Sequence, residues 1–166
     1  MAAAESRPLR LLILCSGNSA RSQMAEAILK RKGKDRFYVE SAGSQPAARV
    51  NPLAVEALRG AGIEWEGHVP RGLDAVQSRE WDLVITVCDR AREACPVFPG
   101  TPVLAHWGMP DPAEVEGPED VRRRAFQDAL ILISRRIDLL LALPVEKLER
   151  LALEKGVRAI GTQDSP

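Results

Sequence analysis

The run Leu9-Arg10-Leu11-Leu12-Ile13-Leu14 ends on Cys15 and opens directly into Ser16-Gly17-Asn18-Ser19-Ala20-Arg21-Ser22. A short apolar run of this kind reads as a strand buried on both faces. It commits the chain to a parallel sheet with helices on either side. A helical segment is expected over residues 22–32, with Met24, Ile28 and Leu29 on one face and Gly33 as its C-terminal cap. The order is therefore strand, thiol, small polar loop, arginine, helix.

That order is suited to a tetrahedral oxyanion. Amides of a tight loop point inward, and a helix N-terminus adds partial positive charge. Arg21 can place two donors on the anion's oxygens. Gly17 and Asn18 tolerate the left-handed backbone that a tight loop needs. Ser16, Gly17, Asn18, Ser19, Ala20 and Arg21 are thus the expected oxyanion-binding residues. The same field favours the thiolate of Cys15, with a pKa expected at about 3.5–7.5 rather than about 8.5. Ser22 can donate to that sulfur.

The rest of the chain continues the alternation. A second strand is expected over 37–39, leading into Ser41-Ala42-Gly43, a third over 81–87 and a fourth over 103–107. Asn51-Pro52 opens a helix, with Leu53, Ala54, Ala57, Leu58 and Ala61 inward and Gly62 at its end. The longest helix is expected over 119–143, on Val121, Ala125, Ala129, Leu130, Ile133, Ile137, Leu140 and Leu141, and Pro144 stops it. A shorter helix over 145–155 would turn Leu148, Leu151 and Ala152 inward. The expected fold class is a three-layer α/β/α domain with a four-stranded parallel sheet, spanning residues 9–155. Residues 1–8 are expected as a flexible leader and 156–166 as a loose tail.

Composition narrows the function. The chain has 166 residues, with 23 basic balancing 23 acidic, so no global field draws nucleic acid or an anionic membrane. Aromatic content of 4% argues against base-stacking platforms. No apolar run approaches the roughly 20 residues that cross a bilayer. The apolar stretch before Cys15 is too short for an export signal, and Leu14 is not the small residue that cleavage requires. Three cysteines on such a chain fit a reducing, cytoplasmic compartment. They offer no zinc spacing, and no metal site is expected.

Cys88 follows the third strand, and six residues separate it from Cys95 in the sequence. On a helix the two thiols would stand roughly 10 Å apart along the axis. A disulfide wants Cα atoms within about 7 Å, so a bond between them requires the segment to unwind. Taken alone they read as two unrelated cysteines. Beside Cys15 they suggest a relay that passes an oxidation outward by thiol exchange. Asp111, in the loop Trp107-Gly108-Met109-Pro110-Asp111-Pro112, reads either as a turn residue or as a general acid. His68 and His106 read as structural, and Arg122-Arg123-Arg124 as the solvated side of the long helix, balanced by Glu116, Glu119 and Asp120.

Taken together, the cysteine loop through Glu26, the stretch Glu40-Ser41-Ala42-Gly43, the pair Cys88 and Cys95, and His106-Trp107-Gly108 with Asp111-Pro112 resemble the thioredoxin-coupled arsenate reductases built on the low-molecular-weight protein tyrosine phosphatase fold. The resemblance runs from about residue 9 to 153. It implies that Cys15 attacks arsenate, that Arg21 and the loop amides hold its oxygens, that Ser22 steadies the thiolate, and that Asp111 protonates the departing oxygen. Cys88 would then release arsenite by attacking Cys15, and Cys95 would attack Cys88. Thioredoxin would reduce the final disulfide. No bound cofactor is implied, phosphate is implied as a competing anion, and nothing demands more than a monomer. Plain phosphatases of this fold do not need the cysteine pair, so hydrolysis of phosphotyrosine or small aryl phosphates is the alternative, and weak phosphatase action is expected in either case. A non-catalytic oxyanion- or protein-binding module would leave Asp111 and three placed thiols unexplained. Many members carry another cysteine where this chain has Ala20. Some bind potassium through an Asn, a Glu, a Ser and an Asp; Asn18, Glu26 and Ser41 match, but Arg71 stands at the Asp position, so no potassium site is expected here.

Overall fold

A computed structural model describes residues 7–144 and 150–162. Four parallel strands form one sheet: β1 (Leu9–Cys15), β2 (Phe37–Gly43), β3 (Leu83–Thr86) and β4 (Val103–His106), in the spatial order β2-β1-β3-β4. The helices are α1 (Arg21–Lys32), α2 (Pro52–Gly60), α3 (Asp89–Glu93), α4 (Glu119–Ala142) and α5 (Arg150–Gly161). Leu11, Leu12, Ile13 and Leu14 are all buried to within 1%. Successive strand residues point to opposite faces, so both faces of β1 are covered, as the α/β/α expectation requires.

Strand order places the chemistry. The chain runs outward from β1 to β2, then crosses back past β1 to β3. In open α/β sheets, ligands bind beyond the carboxyl ends of the strands where the order reverses. Here that point lies between β1 and β3. β1 ends on Cys15, and Cys88 follows β3 after Val87, whose amide still donates to Leu14 O at 2.9 Å. Two thiols 73 positions apart in the sequence therefore meet at one crevice.

The helix signals hold at their ends. Asn51 Oδ1 accepts from the Leu53 amide at 2.9 Å, with Pro52 in the first turn. The Gly33 amide caps α1 on Leu29 O. Burial follows the expected stripes less closely. In α1 the buried set includes Ser22, Gln23 and Glu26 as well as the apolar face, because the first half of this helix lies inside the site. Ala61 lies past α2 and is exposed, and Val121 is 45% exposed at the start of α4. Phe126 and Arg136 are buried there instead. Arg123 pairs with Glu56 and Glu119, and Arg124 with Asp128.

The C-terminal end of the chain departs from expectation. Of the expected leader, only Arg7 and Pro8 are described, and Arg7 pairs with Asp82 at 2.9 Å. The described part of the expected tail is helix as far as Gly161, the end of α5, and Val157 and Ile160 are buried against the sheet layer. Tertiary packing, not periodicity, fixes this end. The Trp107 indole donates to Val157 O at 3.1 Å, and a Cβ at Gly161 would lie 2.1 Å from His106 O. Leu148 lies outside the described residues, as do the side chains of Leu151 and Ala152. Ile160→Ala should therefore cost about 2–5 kcal/mol in a denaturant titration, whereas a residue in a loose tail would cost nothing measurable.

Candidate active site

The loop after β1 is shaped from outside. Amides of residues 44–51 bind its carbonyls: Ser44 to Cys15 O at 3.0 Å, Gln45 to Ser16 O at 2.8 Å, Ala47 to Gly17 O at 2.9 Å and Asn51 to Ser19 O at 2.8 Å. In a trans peptide the following N–H points opposite the carbonyl. The amides of Ser16, Gly17, Asn18 and Ala20 are thus turned inward, and that of Asn18 donates to Cys15 Sγ at 3.2 Å. Asn18, not Gly17, takes the left-handed backbone, at φ 51°. The required glycine lies on β2: a Cβ at Gly43 would stand 2.4 Å from Ser16 O and 2.9 Å from Asn18 N.

Around this loop the expected residues converge. Arg21 opens α1 and is buried; its Nη1 donates to Met109 O at 3.1 Å, and its Nη2 lies 3.4 Å from Asp111 Oδ2. Asp111 also accepts from the Ala113 amide at 2.9 Å. Cys88 Sγ lies 3.1 Å from Ser16 Oγ and accepts from the Ala91 amide at 3.4 Å, at the N-terminus of α3. Cys95, just beyond α3, is half-buried. All three thiols are free.

Below the sulfur runs a chain of polar groups. Ser22 Oγ lies 2.9 Å from Cys15 Sγ and accepts from Asn18 Nδ2 at 2.8 Å, which leaves its proton for the sulfur. Asn18 Nδ2 also donates to Ser41 Oγ at 2.9 Å, and Ser41 donates to Glu26 Oε1 at 2.5 Å. Lys30 and His68 close on the same carboxylate, at 2.6 and 3.1 Å. His68 Nδ1 faces Val69 O at 2.7 Å. Both partners of the ring are acceptors, an arrangement that favours the doubly protonated ring. Its bond to Glu26 raises its pKa. Burial opposes ionisation of Glu26, but donors from His68, Lys30 and Ser41 overcome it and hold the carboxyl below its usual range. Arg71 donates its amide to Asn18 Oδ1 at 3.1 Å and its side chain to Ser41 O and Glu40.

The sign of the Cys15 shift corrects the sequence reading. Burial pushes this thiol above its ordinary value; the Ser22 hydroxyl and amide, Arg21 and the Asn18 amide pull it back down. The sequence displayed the donors and the cation but not the enclosure, and enclosure disfavours charge. His68, read from sequence as structural, anchors the polar chain that ends on the nucleophile. His106 bridges Thr86 Oγ1 at 2.7 Å and Asp89 Oδ1 at 3.0 Å, next to Cys88. Among the described residues no group of three His, Cys, Asp or Glu side chains could hold a metal.

Comparison with known proteins bears on this geometry. The family described as low molecular weight phosphotyrosine protein phosphatase matches residues 10–152. An arsenate reductase of Bacillus licheniformis is 41% identical over 127 residues, covering 76% of this chain and 91% of that protein. One of Bacillus subtilis is 37% identical over the same shares. The structure of a thioredoxin-dependent arsenate reductase of Corynebacterium glutamicum superposes with a TM-score of 0.63 at 31% identity, over 82% of this chain; this chain spans 62% of that protein.

Two substitutions probe the site. Ser22→Ala removes the strongest donor to the sulfur, so the Cys15 pKa should rise further, read as thiolate absorbance against pH; an unchanged or lower value would place the donor elsewhere. Gly43→Ala should cost about 1–3 kcal/mol by overpacking and weaken phosphate binding measured calorimetrically.

Proposed function

The chain belongs to the low molecular weight phosphotyrosine protein phosphatase family, and from that premise we propose that it is an arsenate reductase working through Cys15, Cys88 and Cys95. The observation that carries the reading is the second thiol at the crevice: Cys88 Sγ stands 3.1 Å from the first side chain of the anion loop. A phosphatase has no use for it. The segment bordering the loop, Ser44-Gln45-Pro46-Ala47-Ala48-Arg49, also carries no aromatic residue to stack on a phosphotyrosine ring.

Arsenate enters among the inward amides, with its oxygens on Arg21. Cys15 passes its proton to an oxygen of the bound arsenate and attacks arsenic. A sulfur–arsenic bond forms, one arsenic–oxygen bond breaks, and that oxygen leaves as water, protonated by Asp111. Burial raises the Cys15 pKa, and the donors from Ser22 and Asn18 hold the charge on the sulfur as the proton leaves. Arsenic is still pentavalent at this stage.

The Cys88 thiolate next attacks the Cys15 sulfur. A disulfide forms, and the electron pair of the sulfur–arsenic bond stays with arsenic, which leaves as arsenite. Two thiols have supplied two electrons. Cys95 then attacks Cys88 and expels the Cys15 thiolate. Because Cys88 begins α3 and Cys95 follows its end, this last exchange unwinds that short helix. The Cys88–Cys95 disulfide is reduced from outside by a dithiol protein of the thioredoxin class, as the name of the Corynebacterium relative suggests. No bound cofactor is needed. Phosphate competes for the loop, and a monomer suffices. A reducing cytoplasm suits three free thiols, and no helix among the described residues is long and apolar enough to cross a membrane.

Cys88→Ser and Cys95→Ser should each abolish multiple-turnover arsenate reduction while leaving any aryl phosphatase activity within about threefold of wild type, since hydrolysis uses only Cys15, Arg21 and Asp111. Cys15→Ser should abolish both. Continued arsenate turnover in both relay variants would overturn the reading.

A further inference from the structure

Asp111 can protonate a leaving oxygen only if its loop is held in place, and that loop leaves the sheet immediately after β4. Its amides face the sheet: Trp107 N–H donates to Thr86 O at 2.7 Å and Met109 N–H to Val87 O at 3.2 Å. Its carbonyls face two arginines. Arg21, from the anion loop, takes Met109 O. Arg136, from the middle of α4, takes the two before it, with Nη1 at 2.9 Å from Trp107 O and 3.1 Å from Gly108 O.

Arg136 is 5% exposed and lies among Ile13, Leu29, Ile85, Val87 and Ile133. A guanidinium is costly to take out of water and is tolerated where its hydrogen bonds are good. On a helix stripe of Ala129, Leu130, Ile133, Ile137 and Leu140 an aliphatic residue would fill this position by pattern alone. The buried charge instead reaches two consecutive carbonyls of the loop that carries Asp111. Neither of these bonds involves a thiol or the anion loop.

We infer that Arg136 is a positioning residue for the acid step: it clamps the 107–108 carbonyls so that Asp111 and Arg21 stay paired at the crevice. The inference rests on the reading of Asp111 as the acid. Three successive carbonyls of this loop are gripped by guanidinium groups, one from the site and one from the core, which leaves the loop little freedom to carry Asp111 away from the leaving oxygen.

The test uses the full chain with Arg136→Met, Asp111→Asn and the double variant. The rate of arsenite release in a single turnover is read together with phosphate affinity. Arg136→Met should slow the single turnover by about 10- to 100-fold, part of what a positioned acid supplies, with phosphate affinity within about threefold of wild type. In the Asp111→Asn background the same change should slow it by less than about twofold, because the acid it positions is already gone. Arg136→Lys should recover part of the rate, and Arg136→Gln replaces Arg136→Met throughout should the latter not fold. Equal slowing in both backgrounds, or none in either, overturns the inference. Deuterium exchange at the amides of Gly108, Met109 and Asp111 reads the clamp without turnover: it should quicken in Arg136→Met and stay as in wild type in Asp111→Asn, and unchanged exchange in Arg136→Met also overturns the inference. Absence of arsenate turnover in wild type would instead sink the reductase reading, and the exchange measurement would still decide whether Arg136 holds the loop.

Discussion

The site depends on one set of backbone hydrogen bonds. The 44–51 segment donates amides to the carbonyls of Cys15, Ser16, Gly17 and Ser19. A peptide unit has two polar ends, and fixing the carbonyl outward fixes the N–H inward. An anion-binding ring is therefore made by satisfying the groups on its far side. This explains why Gly43 is as necessary as any residue that would touch the anion: only a residue without a side chain lets the end of β2 lie 2.4 Å, at its would-be Cβ, from Ser16 O. The 44–51 segment can reach the loop only because β2 pairs with β1 through to its last residue, Cys15 opposite Gly43.

Charge at the site is handled in two layers. Next to the sulfur are neutral donors, Ser22 and the Asn18 amide, with Arg21 beyond. Further in, a full carboxylate is buried at Glu26 and met by Lys30 and the His68 ring. Asn18 and Ser41 join the layers, and each has its donors and acceptors spoken for. A buried polar network is sound only when its members are all paired. The dimensions of the anion loop thus rest on an ion pair that never meets the anion. Asn18, Glu26 and Ser41, three residues that suggest a cation site by type, here converge on the side chains of His68 and Lys30 and on the amide of Arg71.

Much of this was legible in the chain. The apolar run into Cys15, the cap at Asn51 and the alternation of strands and helices place the sheet, and the topology rule for parallel sheets brings Cys15 and Cys88 together. What escaped depends on contacts between distant segments. The burial of Cys15 reversed the direction of its shift, because residue types near a sulfur reveal its donors but not how fully it is enclosed. His68 sits in a loop with no local pattern, and its partner is 42 positions away. Arg136 occupies a place on α4 that periodicity assigns to an aliphatic side chain. The last turns of α5 are held by Trp107 and by the close approach at Gly161, neither of which leaves a periodic mark.

The unequal exposure of the three sulfurs has a consequence for durability. Peroxide and stray electrophiles consume thiols in proportion to their access and ionisation, and the overoxidised products are not recovered by simple exchange. Cys15 and Cys88 lie under cover, while Cys95 is half-open beside the nearly bare Val97. Adventitious damage falls first on the outermost sulfur, and the innermost is shielded from reagents that cannot enter the loop. The molecule is insulated at one end and has its terminal at the other.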